Sequence, residues 1–568
     1  MTQSTGTALD PAQINGADWN SLKPRFDALA AENLMPDGVD AWLLRWSDLL
    51  KVVHEAGAQA ERAKSEDTTN THAEAVFLHH LEHIVPQVEV ASQALKTKLL
   101  AVPGYTPAPD HVQMVRRLRS DADLFRAENV PLQSQLDVLA NQYDKIAGSL
   151  SVTIGGEEMT LPQAGLRLLA ADRAAREEAW QAMSAKWLSV RPQLDALYLQ
   201  MLPLRRALAR NAGKTDYRAY IWQDLHRFDY TPQDTLSFHD AIAQEIVPLV
   251  SRGMEKRRQA LGLETLRPWD LNVDPHGHTP LHPFDTAAEL EEGAARIFTQ
   301  VAPALGEQFG RLRENMLDLP SRKGKAPGGY CASFPVTGLP YIFMNAVGTQ
   351  DDVQTLLHEG GHAFHDIASA QAQPLIWNEG APMEFCEVAS MAMELLSAPY
   401  LAREQGGFYS SEDAARARQE HLERTVQFLP YMAVVDGFQH WVYAEAPDSV
   451  TASDMDAQWD ELWARFMPDV DWAGLEAMRM TGWHRKLHIF QNPFYYVEYG
   501  LAQLGALQVW RNALADQAQA VQKYRDALAL GDTRPLPDLY AAAGARLAFD
   551  AQTIGALANL VSEHLATD

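Results

Sequence analysis

The chain has 568 residues and carries 48 Lys and Arg against 74 Asp and Glu, a formal net charge of −26. That charge repels phosphate backbones and anionic lipid faces, which are recognised through clustered Lys and Arg, so nucleic-acid and membrane-surface partners are excluded. With 46% hydrophobic and 21% charged residues, the composition is that of a globular protein able to bury a sizeable core.

Two cysteines, Cys331 and Cys386, are too few for a disulfide scaffold and suit a reducing compartment. Met1 to Asn20 lacks a basic segment followed by an apolar run, and no stretch of about 18 apolar residues occurs. The sequence therefore predicts neither a signal peptide nor a membrane span, and a cytoplasmic address is expected.

In the first two hundred residues apolar positions recur at three and four, as in Trp42, Leu43, Trp46, Leu49 and Leu50, which predicts helices. The proline-rich stretch Val102 to Pro107 marks a loop. Val152 to Leu161 alternates around Gly155-Gly156 and predicts a hairpin. Helical periodicity resumes from Leu168 to about Arg210, with a boundary expected at 190 to 205, giving an N-terminal helical region over 1–200 and a second, catalytic domain over 201–568. A helix over 231–261 and an irregular stretch over 262–285 come next. A helix near 286–318, a loop at 321–329, strands at Tyr330 to Val336 and Tyr341 to Met344, and helices to the end complete the pattern.

The stretch Thr349 to His365 carries the chemistry. Thr349 and Asp352 form a T-x-x-D helix-start signature before apolar Val353, Leu356 and Leu357. His358 and His362, four apart on one helix face, can reach one ion, and zinc accepts neutral imidazoles while leaving a position open for water. Glu359 sits beside the first histidine, where its carboxylate can take a proton from water at that position. Chance alone would give H-E-x-x-H roughly once in twenty-five such chains, so context has to carry the reading. Gly360 and Gly361 supply some: two consecutive glycines inside a helix cost about 1 kcal/mol each relative to alanine, which points to close packing or room for a ligand.

A third ligand is expected downstream, where Pro382 opens a helix and Glu384, Glu387 and Glu394 lie three and seven apart on one face. Spacing does not choose among these acids, and Glu379 is also within reach. His484 and His488 form a second i, i+4 pair, but without an interposed Glu or an obvious third carboxylate.

At these residues the chain resembles the thimet oligopeptidase and neurolysin type of zinc metallopeptidase, and within it the oligoendopeptidase F branch. The resemblance runs over most of the chain from about Val152. It rests on Asp172-Arg-Ala-Ala-Arg176, Asn211 to Tyr217, Arg267-Pro-Trp-Asp-Leu271, Gly348 to Val353, His358 to His362, Glu387-Val-Ala-Ser390 and Pro493 to Tyr499. The resemblance implies that Glu387 is the third ligand of one Zn2+ per chain, and that Asp352 and Glu394 orient ligand imidazoles. It further implies that His488, Tyr496 and Tyr499 donate hydrogen bonds to the tetrahedral intermediate, with Tyr495 competing with Tyr496 for the place facing the metal. Two departures stand out. Gly360 replaces a bulkier apolar residue, and the stretch Gln491-Asn492-Pro493 is shorter than in thimet-type members.

The expected fold is mainly α: a zincin, neurolysin-like ellipsoid of two helical halves around a deep channel, with a small β-sheet near the active site. The expected function is endopeptidase action on short unfolded oligopeptides. Tyr330 and Tyr495 are candidates for contact with the substrate, and Tyr330 and the run Tyr341 to Asn345 are candidates for an edge strand to which the peptide backbone adds. An exopeptidase on the same fold, a carboxypeptidase or dipeptidyl carboxypeptidase, is the alternative, and a non-catalytic peptide-binding protein a more distant one. The sequence leaves oligomeric state open.

Overall fold

The structure is a computed structural model that describes residues 13–567 apart from residue 323. The polar N-terminal segment read above therefore falls largely outside the described residues. The helical periodicity is realised in an architecture that is 71% helical, with five short strands among the described residues. The chain divides into two compact units interleaved in sequence. The first runs to Val130 and takes in His282–Ala415 and Ala502–Leu547; the second comprises Pro131–Leu281, Arg416–Leu501 and the residues from Ala548.

In the second unit β1 (Ser151–Ile154) and β2 (Glu157–Thr160) pair antiparallel, Ile154 opposite Glu157. Gly155 and Gly156 join them at φ of 61° and 84°, the left-handed conformation that a two-residue hairpin turn requires. The inward residues Val152, Ile154 and Met159 pack with Trp180 and Trp269.

The first unit holds a three-stranded sheet in the order β3 (Leu317–Pro320), β5 (Tyr341–Ala346), β4 (Tyr330–Ala332). The central β5 runs parallel to β3 and antiparallel to β4, with Tyr330 opposite Phe343. Tyr341 to Met344 are all buried, which explains the unbroken apolar run in that strand: covered on both faces, it has no reason to alternate. The stripe Trp42, Leu43, Trp46, Leu49 of the helix Val39–Glu66 is fully buried, and Trp46 meets Trp377 edge-on at 4.6 Å.

Two expectations need correction here. The segment near 286–318 is not one helix but two, Ala287–Val301 and Pro303–Leu312, followed by β3. Pro303 forces Ala302 out of the helical region, to φ −161° and ψ 134°, and so breaks the periodic run that masked the boundary. The strand expected over Tyr330 to Val336 stops at Ala332.

Two helices of the first unit matter most. Helix α1 (Gln350–Ala372) starts in a capping box: Thr349 Oγ1 accepts from Asp352 N, and the Asp352 carboxylate accepts from Thr349 N. Helix α2 (Met383–Ser397) lies tightly against it. A Cβ on Gly361 would fall 2.6 Å from both Ala389 O and Ser390 Cα, so the bare glycine is what lets the two backbones approach. Gly360 faces the other way, where a Cβ would meet the Phe298 ring at 2.4 Å. Close packing thus accounts for both glycines.

In the second unit a short helix, α3 (Leu487–Gln491), turns into α4 (Tyr496–Ala515) through residues 492–495. Phe494 in that turn has φ 65°, strained for a residue with a side chain, and is held at both ends of its peptide unit. Its N–H donates to Gln439 Oε1 at 2.7 Å, and its carbonyl accepts from Arg227 Nη2 at 2.6 Å. The same guanidinium nitrogen lies 2.7 Å from Glu498 Oε1 in a pair only 1% and 2% exposed.

Candidate active site

Helical spacing puts His358 and His362 one turn apart on α1, their rings 4.9 Å apart and nearly perpendicular. The abutting α2 delivers Glu387. Its Oε2 lies 3.4 Å from His358 Nε2 and 3.5 Å from His362 Nε2, and one ligand atom from each of the three residues lies within 4.8 Å of the others. A tetrahedral ion with bonds of 2.0 to 2.1 Å separates its ligand atoms by about 3.3 Å. Two imidazoles and one carboxylate are a zinc donor set, and the spacing fits it.

The surroundings reinforce the fit. Glu394, one more turn pair along α2, brings Oε1 to 2.7 Å from His358 Nδ1. A carboxylate only accepts, so Nδ1 carries a hydrogen, and in the neutral ring that a metal ligand must be, the lone pair of Nε2 is left toward Glu387 and His362. Ser390 donates to Glu387 Oε2 at 3.0 Å. Burial disfavours charge on Glu387, but the two imidazoles outweigh it and hold the carboxylate well below its usual range. Burial likewise opposes charge on His358, and the Glu387 and Glu394 carboxylates overcome it and raise its pKa.

Glu359 follows His358 on α1. It is 7% exposed, and its Oε2 is buried with no hydrogen-bond partner among the described residues. Burial pushes its pKa up, against the pull of His358 and His362. A buried carboxylate oxygen left unpaired beside a zinc donor set fits a water molecule held between the two.

Other expected residues take distinct places. Asp352 Oδ2 accepts from Val347 N and Thr349 N at 2.9 and 2.7 Å, which ties that oxygen to the start of α1. Glu379 is paired with Lys51 at 2.5 Å. Tyr330 stacks on Phe343 at 4.9 Å in the edge strand β4, and burial pushes its hydroxyl up to about 12. The neighbouring Cys331 thiol is raised by burial and by the charges of Asp366 and Glu359.

In the second unit His488, Tyr495, Tyr496 and Tyr499 gather around the α3–α4 turn. Tyr499 Oη lies 3.5 Å from His488 Nε2; the His488 ring stacks on Tyr495 at 5.7 Å and meets Tyr496 at 5.0 Å. Tyr495 and Tyr499 are half-buried, whereas Tyr496 is 6% exposed and its hydroxyl accepts from Lys486 Nζ at 3.1 Å. His484 is no partner of His488 in a metal pair: its Nε2 is 2.7 Å from Asp195.

Sequence reasoning quoted Ser390 only as part of a motif, without a role, and passed over Lys486. Ser390 had a usable signal, lying three residues after Glu387 on one helix face; Lys486 had none, because its partner lies ten residues away across a turn.

Residues 167–558 match the model of peptidase family M3. The chain is 25% identical over 256 residues to group B oligopeptidase PepB of Streptococcus agalactiae serotype III, covering 44% of this chain and 40% of that protein. It is 24% identical over 310 residues to the chromosomal oligoendopeptidase F of Lactococcus lactis subsp. cremoris, covering 53% and 49%. The chain thus spans about half the length of the curated relatives it matches. In fold it is similar to PZ peptidase A solved with an inhibitor, at a TM-score of 0.92, 24% identity and 98% and 99% coverage. With the matched region taking in the hairpin's flank, both metal-site helices and the tyrosine turn, the chain belongs to peptidase family M3 and resembles, within it, the oligoendopeptidase F branch.

Proposed function

We propose that the protein is a zinc-dependent endopeptidase that hydrolyses internal peptide bonds of short, unfolded oligopeptides in the cytoplasm. The observation that carries the reading is the donor set His358, His362 and Glu387 beside the unpaired Glu359 Oε2. The three ligands would hold one zinc ion per chain, and the ion would supply Lewis acidity toward water and the peptide carbonyl.

The chain's own groups do the rest. Glu359 takes a proton at Oε2 as water attacks and returns it to the leaving amine, a role suited to a carboxylate whose pKa burial has raised. His488, Tyr496 and Tyr499 donate hydrogen bonds to the developing oxyanion. Glu394 fixes the His358 tautomer. Tyr330, on the edge strand β4, and Tyr495 contact the substrate. The absence of a helix long and apolar enough to cross a membrane among the described residues, and two free cysteines, support a cytoplasmic address.

Glu359→Gln tests the reading. It should keep bound zinc, measured by elemental analysis, and lose at least about a hundredfold in hydrolysis. Hydrolysis persisting with zinc in place overturns the assignment. Cuts inside a peptide blocked at both ends separate endopeptidase from exopeptidase action.

A further inference from the structure

The stretch 479–488 of the second unit treats its charged side chains unequally. Arg479 is paired with Asp460 at 2.6 Å, and His484 with Asp195 at 2.7 Å. Arg485 and Lys486, between these and His488, have no carboxylate partner among the described residues. Arg485 Nε and Nη2 are buried with no hydrogen-bond partner among the described residues. Lys486 Nζ has a neutral partner, the Tyr496 hydroxyl, and lies over the Tyr431 and Tyr496 rings at 5.2 and 4.6 Å.

Two largely desolvated cations, consecutive in sequence and both influenced by Tyr431, are each unfavourable without an anion, and ring faces offset only part of that cost. Burial lowers the pKa of both; nothing ionic opposes it at Lys486, and only Tyr431 does at Arg485. Elsewhere in the same stretch the chain supplies acids, and with 74 of them against 48 Lys and Arg it is not short of any. An arrangement kept at such a cost is explained by an anion that arrives from outside.

We infer that Arg485 and Lys486 form a subsite for a carboxylate of the peptide substrate, either its free C-terminus or an acidic side chain. A guanidinium fork and an ammonium are each donors that match a carboxylate. The −26 charge weighs against more highly charged anions. Lys486 touches Tyr496, whose ring is 5.0 Å from His488, so the subsite lies beside the residues assigned above to the oxyanion. The inference rests on the peptidase reading above and names the part of the substrate that this reading leaves open.

The experiment uses the full chain carrying Glu359→Gln, so that substrates bind without turnover. Three peptides of one sequence are titrated calorimetrically: a free C-terminal acid, its amide, and the amide with one Asp near the cleavage position. One of the carboxylate peptides should bind about tenfold more tightly than the neutral amide, the scale of one charge-assisted hydrogen bond. A preference for the free acid identifies the C-terminus, and one for the Asp peptide identifies a side chain. Adding Arg485→Gln or Lys486→Met should bring the ratio to about one, while Arg485→Lys retains it. Because the ratio is internal to each variant, a general loss of affinity does not imitate this result. Equal affinity for all three peptides, or a ratio that survives both neutral substitutions, overturns the subsite. If the peptides bind with the stated preference but the zinc-loaded wild type cuts none, the peptidase reading fails and the subsite stands.

Discussion

Glu394 Oε1 lies 2.7 Å from His358 Nδ1, while Glu387 Oε2 approaches the same ring from its other nitrogen, 3.4 Å from Nε2. One imidazole is thus gripped by two carboxylates of one helix, seven residues apart. The outer one orients the ring, and the inner one shares the donor set. Removing the outer grip by Glu394→Ala should weaken zinc binding about 10- to 100-fold without unfolding the protein. Competition against a calibrated chelator reads the affinity, and an unchanged constant would show that the ring needs no such support.

The paired glycines separate stability from metal binding. Gly361→Ala drives a methyl group into the α2 backbone at Ala389 and Ser390, two and three residues from Glu387. Gly360→Ala meets the Phe298 ring instead, which is fully buried against Phe309 and Phe364. Both should cost about 1 to 3 kcal/mol in denaturant unfolding. Only Gly361→Ala should also weaken zinc binding, because it alone separates the two helices that carry the ligands.

Lys486 gives stability a pH dependence of known sign. Burial lowers its ammonium to about 8 from 10.5. Between these values the unfolded chain binds more protons than the folded one, so this group's contribution improves as pH rises from about 8 to 10.5 and is least favourable below 8. Lys486→Met should therefore stabilise the protein at pH 7 by on the order of 2 kcal/mol, and by much less at pH 10.5. Urea midpoints at the two pH values check it.

Arg227 and Glu498 hold the strained Phe494 turn from within the core. Arg227→Met takes the guanidinium away from a buried carboxylate and should destabilise the protein by about 3 to 5 kcal/mol, whereas Arg227→Met with Glu498→Leu should recover most of that loss. Thermal and urea unfolding of the two variants make the comparison.

How much of this was written in the sequence depends on the range of the interaction. The T-x-x-D cap at Thr349, the shared face of His358 and His362, the buried stripe Trp42 to Leu49 and the turn at Gly155-Gly156 are local. Each depends on residues within about one turn or one hairpin, and each could be read from spacing. The helix near 286–318 was misread where Pro303 restarted the same periodicity, since an apolar stripe continues across a break that changes only the backbone.

Other features required two elements to meet. Spacing left Glu384, Glu387 and Glu394 equivalent; the rotation of α2 against α1, set by the backbone contact at Gly361, brings Glu387 to both imidazoles and Glu394 to the far side of one. Asp352 was matched by resemblance to an imidazole, and its carboxylate lies on backbone amides at the start of α1. Arg485 and Lys486 look ordinary in a chain rich in acids, until the fold shows that no carboxylate among the described residues pairs with them. Periodicity tells which face an element turns inward, but not which side chains that face will meet, because partner choice is fixed by packing between segments far apart in sequence.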